Sequence, residues 1–325
     1  MRPTPRSRAL PVALACAALL AACGGGGGDG NDDGPRASAG SDINATNYQS
    51  FSGPLAHAVL DLGGGTAVAE PFGPGPTAAL SGRSGLALLS AGPRRAIIQS
   101  ARRQTVYESN TPCDHAGSLS TSVDDANDNN ILDAGDSIAF TAASCQFAAN
   151  EPPMNGGFSM TLLQVQFDGQ NNPRSMQVSG SFSNLGIGSD AMNGRFQLSL
   201  GFGTDGSQTL QMSFVDLSAT HGGTSLTYNA TLSASYSANG SGSFSLQGTL
   251  KAGGETYLLE QTTGFGTVPT TLYPVSGSVR LKDAAGDTLV LEARSGDLVD
   301  FKFYPAGAAQ PAATLPGRPW SDYGG

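Results

Sequence analysis

The sequence predicts a mainly all-β protein, an antiparallel up-and-down meander of about ten strands that forms a barrel, a half-barrel or a sandwich. Three observations lead there. Apolar residues recur with a period of two from about residue 157 onward, turn signals separate these runs at regular spacing, and no helical pattern of crossover length intervenes.

The alternation is explicit. Met176, Val178, Gly180 and Phe182 alternate with Gln177, Ser179 and Ser181, and Phe196, Leu198, Leu200 and Phe202 alternate with Gln197, Ser199 and Gly201. Leu226, Tyr228, Ala230, Leu232, Ala234 and Tyr236 repeat the pattern, and Phe244, Leu246, Gly248 and Leu250, then Val279 and Leu281, extend it. Strands of this kind are wetted on one face, which implies antiparallel pairing. Asn171-Asn172-Pro173, Thr204-Asp205-Gly206, Asn239-Gly240, Gly253-Gly254, Gly286-Asp287 and Ser295-Gly296-Asp297 supply the turns. The β domain is expected over 146–310, with 311–325 as a C-terminal tail.

At the other end, residues 1–22 have the three parts of a secretory signal: basic Arg2, Arg6 and Arg8, an apolar run from Ala9 to Leu20, and small Ala21 and Ala22 before Cys23. The run is too short to span a bilayer. Leu20-Ala21-Ala22-Cys23 resembles the lipobox of bacterial lipoproteins, over residues 1–23 only. The resemblance implies cleavage before Cys23 and acylation of that cysteine. With Gly24 where an inner-membrane lipoprotein carries Asp, it also implies an outer-membrane anchor. Several acyl chains, at ~0.8 kcal/mol per buried CH₂, hold firmly where one binds only transiently.

Loss of the signal takes 17 cationic residues to 14 against 26 acidic ones, a net charge near −12. That disfavours nucleic acid and anionic membrane surfaces as partners. Residues 23–50, with Gly24–Gly28 and Asp29-Gly30-Asn31-Asp32-Asp33-Gly34, have almost nothing apolar to bury and are expected to form a disordered tether. The segment 51–112 is less readable. Ala78 to Leu89 and Arg94 to Arg103, separated by Pro93, are compatible with two short helices, whereas Gly63–Gly65 lacks the Gly-Lys-Ser/Thr ending of a phosphate loop.

Cys16 leaves with the signal and Cys23 carries lipid, so Cys113 and Cys145 are expected to form a disulfide bracketing residues 113–145. Inside it, Asp125-Ala126-Asn127-Asp128-Asn129-Asn130-Ile131-Leu132-Asp133-Ala134-Gly135-Asp136 can be set against a twelve-residue calcium loop. Asp125, Asn127, Asn129, Asp133 and Asp136 then fall at ligand positions, with the Ile131 carbonyl as a sixth oxygen for Ca²⁺. The segment resembles EF-hand-like and dockerin-type calcium loops over these twelve residues. It departs from them in Asn130 for Gly, in Asp136 for Glu, and in the strand-like Ile138 and Phe140 that follow. An Asp/Asn-rich turn between two strands is the simpler reading.

No catalytic motif stands out. Gly135-Asp136-Ser137-Ile138 matches the start of a GDSL-type esterase but lacks a downstream Asp-x-x-His, and His57, His115 and His221 are scattered and read as surface or loop residues. The whole layout resembles that of uncharacterised β-rich outer-membrane lipoproteins of Gram-negative bacteria. The expectation is a non-catalytic lipoprotein, anchored in the outer membrane, with a β domain that is structural or binds a partner, either a protein or a hydrophobic ligand. A periplasmic carrier or chaperone for lipid or another hydrophobic ligand is one alternative; a hydrolase without a recognisable motif is another. A filled or a hollow sheet interior separates the first two.

Overall fold

The computed structural model describes residues 42–63 and 107–323, apart from 130–132, 147–148, 150–151, 170–172, 269–270 and 272. The signal, Cys23, the tether up to residue 41 and the two helices expected within 78–103 lie outside the described residues. Among the described residues, fourteen strands follow one α-helix, α1 (Ser52–Gly63). They are β1 (Tyr107–Pro112), β2 (Ala116–Asp124), β3 (Ser137–Gln146), β4 (Met154–Phe167), β5 (Pro173–Ile187), β6 (Ala191–Phe202) and β7 (Gln208–His221). The series continues with β8 (Thr224–Tyr236), β9 (Gly242–Ala252), β10 (Glu255–Thr267), β11 (Ser276–Lys282), β12 (Thr288–Arg294), β13 (Leu298–Tyr304) and β14 (Ala313–Pro319).

Each strand pairs antiparallel with its neighbours in sequence, in one sheet of order β1 to β14 that does not close into a barrel. The all-β meander is therefore correct, with fourteen strands in place of about ten. The additional strands lie where apolar alternation is thin. β1 and β2 are rich in Ser, Thr and Asn, and β14 is an edge strand exposed along most of its length. Residues 311–325, expected as a tail, thus contain β14 and the buried Trp320, which stacks on Tyr273. Residues 42–50, expected within the tether, pack on the domain: Ile43 is fully buried and its N–H donates to Asp283 Oδ2 at 2.8 Å.

The alternation read from sequence becomes one buried face. Phe140, Phe158 and Phe182 are direct partners across β3, β4 and β5, and Phe196 of β6 joins them with ring centroids 5.1–5.6 Å apart. The opposite face carries short polar side chains and cross-strand ion pairs such as Glu260–Arg280 at 2.6 Å. Exposed pairs of this kind contribute little individually. Helix α1 packs against β8, β9 and β12. It is apolar nearly all round, as a buried helix must be. Pro54 fits because it stands in the first turn, where backbone N–H groups have no helical acceptor.

A repeated bulge interrupts the ladders toward one end of the sheet. Ser144, Asn184 and Asp216, within β3, β5 and β7, adopt left-handed backbone with φ of 51°, 47° and 48°. The N–H of each donates to an asparagine side chain on the next strand, Asn155, Asn193 or Asn229, at 2.9, 2.7 and 2.9 Å. Asn155 and Asn193 are each followed by a positive-φ glycine, Gly156 or Gly194, that lies against the next bulge in the series. A Cβ on Gly156 would fall 2.0 Å from the Asn184 carbonyl oxygen. Bulges of this kind bend a strand, increase its twist and change which side chains face inward.

The disulfide joins Cys113, after β1, to Cys145 in β3, with Cα atoms 5.5 Å apart. At a separation of 32 residues, the chain-entropy relation gives about 4 kcal/mol for this cross-link.

Candidate functional site

Three segments meet α1 at one place. His57 and Asp61 stand four residues apart on the helix and so share a face. His221 closes β7 at the Gly222-Gly223 turn, Tyr228 lies on β8, and Asp190 lies in the turn between β5 and β6.

His221 owes its position to the bulge at Asp216. Leu210, Met212 and Phe214 face the core, and an unbroken period of two would then carry Asp216, Ser218 and Thr220 inward. The register shift between Phe214 and Leu217 reverses this, so Leu217, Ala219 and His221 share the inner face. Asn229 on β8 holds the bulge from the outer face, while its neighbour Tyr228 points inward.

The geometry is tight. Asp61 is 1% exposed, and its Oδ2 accepts from Tyr228 Oη at 2.8 Å and from His221 Nε2 at 2.9 Å. Its Oδ1 is buried with no hydrogen-bond partner among the described residues. His221 Nδ1 lies 3.5 Å from Asp190 Oδ2, and Asp190 Oδ1 accepts from the Gly222 N–H at 3.2 Å. The imidazoles of His57 and His221 stack with centroids 4.0 Å apart and planes within 7°. His57, Asp61 and His221 each offer one ligand atom, all within 4.8 Å of one another.

The protonation preferences diverge. Burial opposes a charge on His221, yet the Asp61 hydrogen bond and the fields of Asp61 and Asp190 together raise its pKa above the ordinary 6.5. Burial, reinforced by His221, lowers that of His57. The Tyr228 hydroxyl, buried and facing Asp61, is pushed well above its ordinary range and stays protonated as a donor. Asp61 is thus met by a tyrosine hydroxyl that stays protonated and by a histidine predisposed to carry a proton.

Sequence reasoning did not bring these residues together. Reading His57 and His221 as surface or loop residues is corrected: both are half-buried, on helix and strand, and face each other. His57-x-x-x-Asp61 was a helical i,i+4 signal. His221 lies 160 residues beyond Asp61, and no local pattern reports that pairing.

The Asp/Asn loop lies between β2 and β3. Asp136 is buried, accepting from the Ala126 N–H at 3.0 Å and the Asp133 N–H at 2.7 Å, and its backbone is tied to Leu162 of β4. Asp125 Oδ1 accepts from the N–H groups of Asn127 and Asn129, and both of those side-chain amides donate to the Asp133 carboxylate. The loop therefore gathers Asp125, Asn127, Asn129, Asp133 and Asp136, while Ile131 lies outside the described residues.

No family model, curated protein or solved structure matches the chain.

Proposed function

We propose that the chain is a non-catalytic outer-membrane lipoprotein, acylated on Cys23, whose β domain is a filled scaffold that presents its polar face and loops to a protein partner. One observation carries this reading. Inward-facing residues from β2 through β13, helix α1 and Trp320 form one continuous apolar cluster. A carrier of lipid or another hydrophobic ligand needs a contiguous apolar surface to offer, whereas these side chains are buried. The disulfide supports an oxidising compartment, as the anchor does. Calcium in the Asp125–Asp136 loop belongs to the same proposal, as a brace for the β2–β3 connection rather than as a reactive centre.

The test is organic extraction of the full chain purified from membranes, followed by mass spectrometry of both fractions. Acyl mass is expected only as a covalent adduct that Cys23→Ser removes. A stoichiometric, non-covalently held lipid would replace the scaffold reading with the carrier.

A further inference from the structure

We propose that His57, Asp61 and His221 form a binding site for a divalent transition-metal ion of the zinc class. The strongest pointer is the buried Asp61 carboxylate. Oδ2 takes both donors, Tyr228 and His221, while Oδ1 has no hydrogen-bond partner among the described residues. Leaving a buried carboxylate oxygen unpaired is costly, and a bound cation is one of the few things that relieves it. His57 supplies a second pointer: none of the described residues hydrogen-bonds to its ring, although the ring lies directly over His221.

Distance and chemistry agree. Two ligands at ~2.0–2.1 Å from a tetrahedral ion lie roughly 3.3 Å apart. The 2.9 Å between His221 Nε2 and Asp61 Oδ2, a hydrogen bond whose proton leaves when the ion enters, and the 4.8 Å limit on the three ligand atoms bracket that span. Parallel rings send their lone pairs side by side, so His57 turns about its Cβ–Cγ bond to converge on the ion. Two imidazoles and one carboxylate suit Zn²⁺ and its first-row neighbours, whereas Ca²⁺ and Mg²⁺ require oxygen shells. The surroundings match a metal site too. Tyr228 holds the carboxylate, and Asp190 stands behind the far nitrogen of His221, where carboxylate partners orient metal-binding histidines. The charges of Asp61 and Asp190 together neutralise a divalent ion.

The experiment uses the full chain in detergent, stripped with chelator and titrated with Zn²⁺ by calorimetry. Co²⁺ in parallel reports coordination through its visible bands. The expected result is one equivalent of Zn²⁺ per chain, not displaced by excess Ca²⁺. His57→Gln and His221→Gln should each weaken binding by at least roughly 100-fold and abolish the Co²⁺ bands, since loss of even an outer-shell partner costs up to that much. His115→Gln, outside the cluster, should leave both unchanged. His57→Gln is the decisive variant, because that ring makes no hydrogen bond to the described residues and its loss spares the Asp61–His221–Tyr228 contacts. Failure of the unmodified chain to bind Zn²⁺, displacement by Ca²⁺, or unaltered binding by folded His57→Gln would overturn the proposal.

Discussion

Tyr228→Phe removes a single oxygen from the centre of the cluster and leaves the aromatic ring in place. The hydroxyl is one of two donors to a carboxylate that is 1% exposed, across 2.8 Å, and Tyr228 itself is fully buried. No cavity larger than an oxygen remains, so packing changes little. What is lost is a charge-assisted hydrogen bond, which contributes about 1.5–3 kcal/mol. A domain of this size shifts its unfolding midpoint by roughly 2–4 °C per kcal/mol. A central loss of ~2 kcal/mol therefore lowers the midpoint by about 4–8 °C. The assay is thermal unfolding of the full chain followed by circular dichroism, in chelator so that no ion masks the difference. Asp61→Asn and the double variant complete a cycle. Residues that share this bond should be coupled by at least about 1 kcal/mol, against ~0.3–0.5 kcal/mol for independent sites. A Tyr228→Phe midpoint within 1 °C of the parent, or an additive cycle, would refute the idea that Tyr228 stabilises the domain through Asp61.

Three other outcomes are expected. In chelator, the two site histidines should have opposite effects on stability against pH. His221, raised above 6.5, contributes stability that is full below that value and lost as pH rises through its folded pKa; His57, lowered, loses stability as pH falls below 6.5. His221→Gln should thus steepen acid destabilisation and His57→Gln should lessen it, and denaturant titrations across pH 5–8 with no difference in slope would refute the assignment. Gly156 and Gly254 have nearly equal φ, 93° and 92°, but a Cβ meets the Asn184 carbonyl at 2.0 Å in the first and open space in the second. Gly254→Ala should therefore cost the ~1–2 kcal/mol of left-handed backbone alone, and Gly156→Ala clearly more, which equal midpoints would contradict. Finally, millimolar Ca²⁺ should raise the unfolding midpoint of the full chain, and Asp125→Asn with Asp133→Asn should remove that rise; an unchanged midpoint in the parent would end the calcium reading.

Period-two alternation at Leu226–Tyr236 and Phe196–Phe202, with turns at Thr204-Asp205-Gly206 and Asn239-Gly240, determined an antiparallel meander, because one wetted face leaves a mark on every second residue. Cysteine counting likewise determined the Cys113–Cys145 pair. The sequence was nearly silent for β1, β2 and β14, whose faces bury too little to enforce a pattern, and for α1, a short run with only His57 and Asp61 to mark a face beyond its first residue. Only the tertiary structure decided the site. One left-handed residue, Asp216, reverses the inward parity of β7 and delivers His221 to Asp61, 160 residues away, while Tyr228 follows from the next strand. A bulge depends on backbone geometry and on a hydrogen bond from a neighbouring strand, here Asn229. The side chains it redirects are therefore fixed by pairing between strands rather than by the local order of residues.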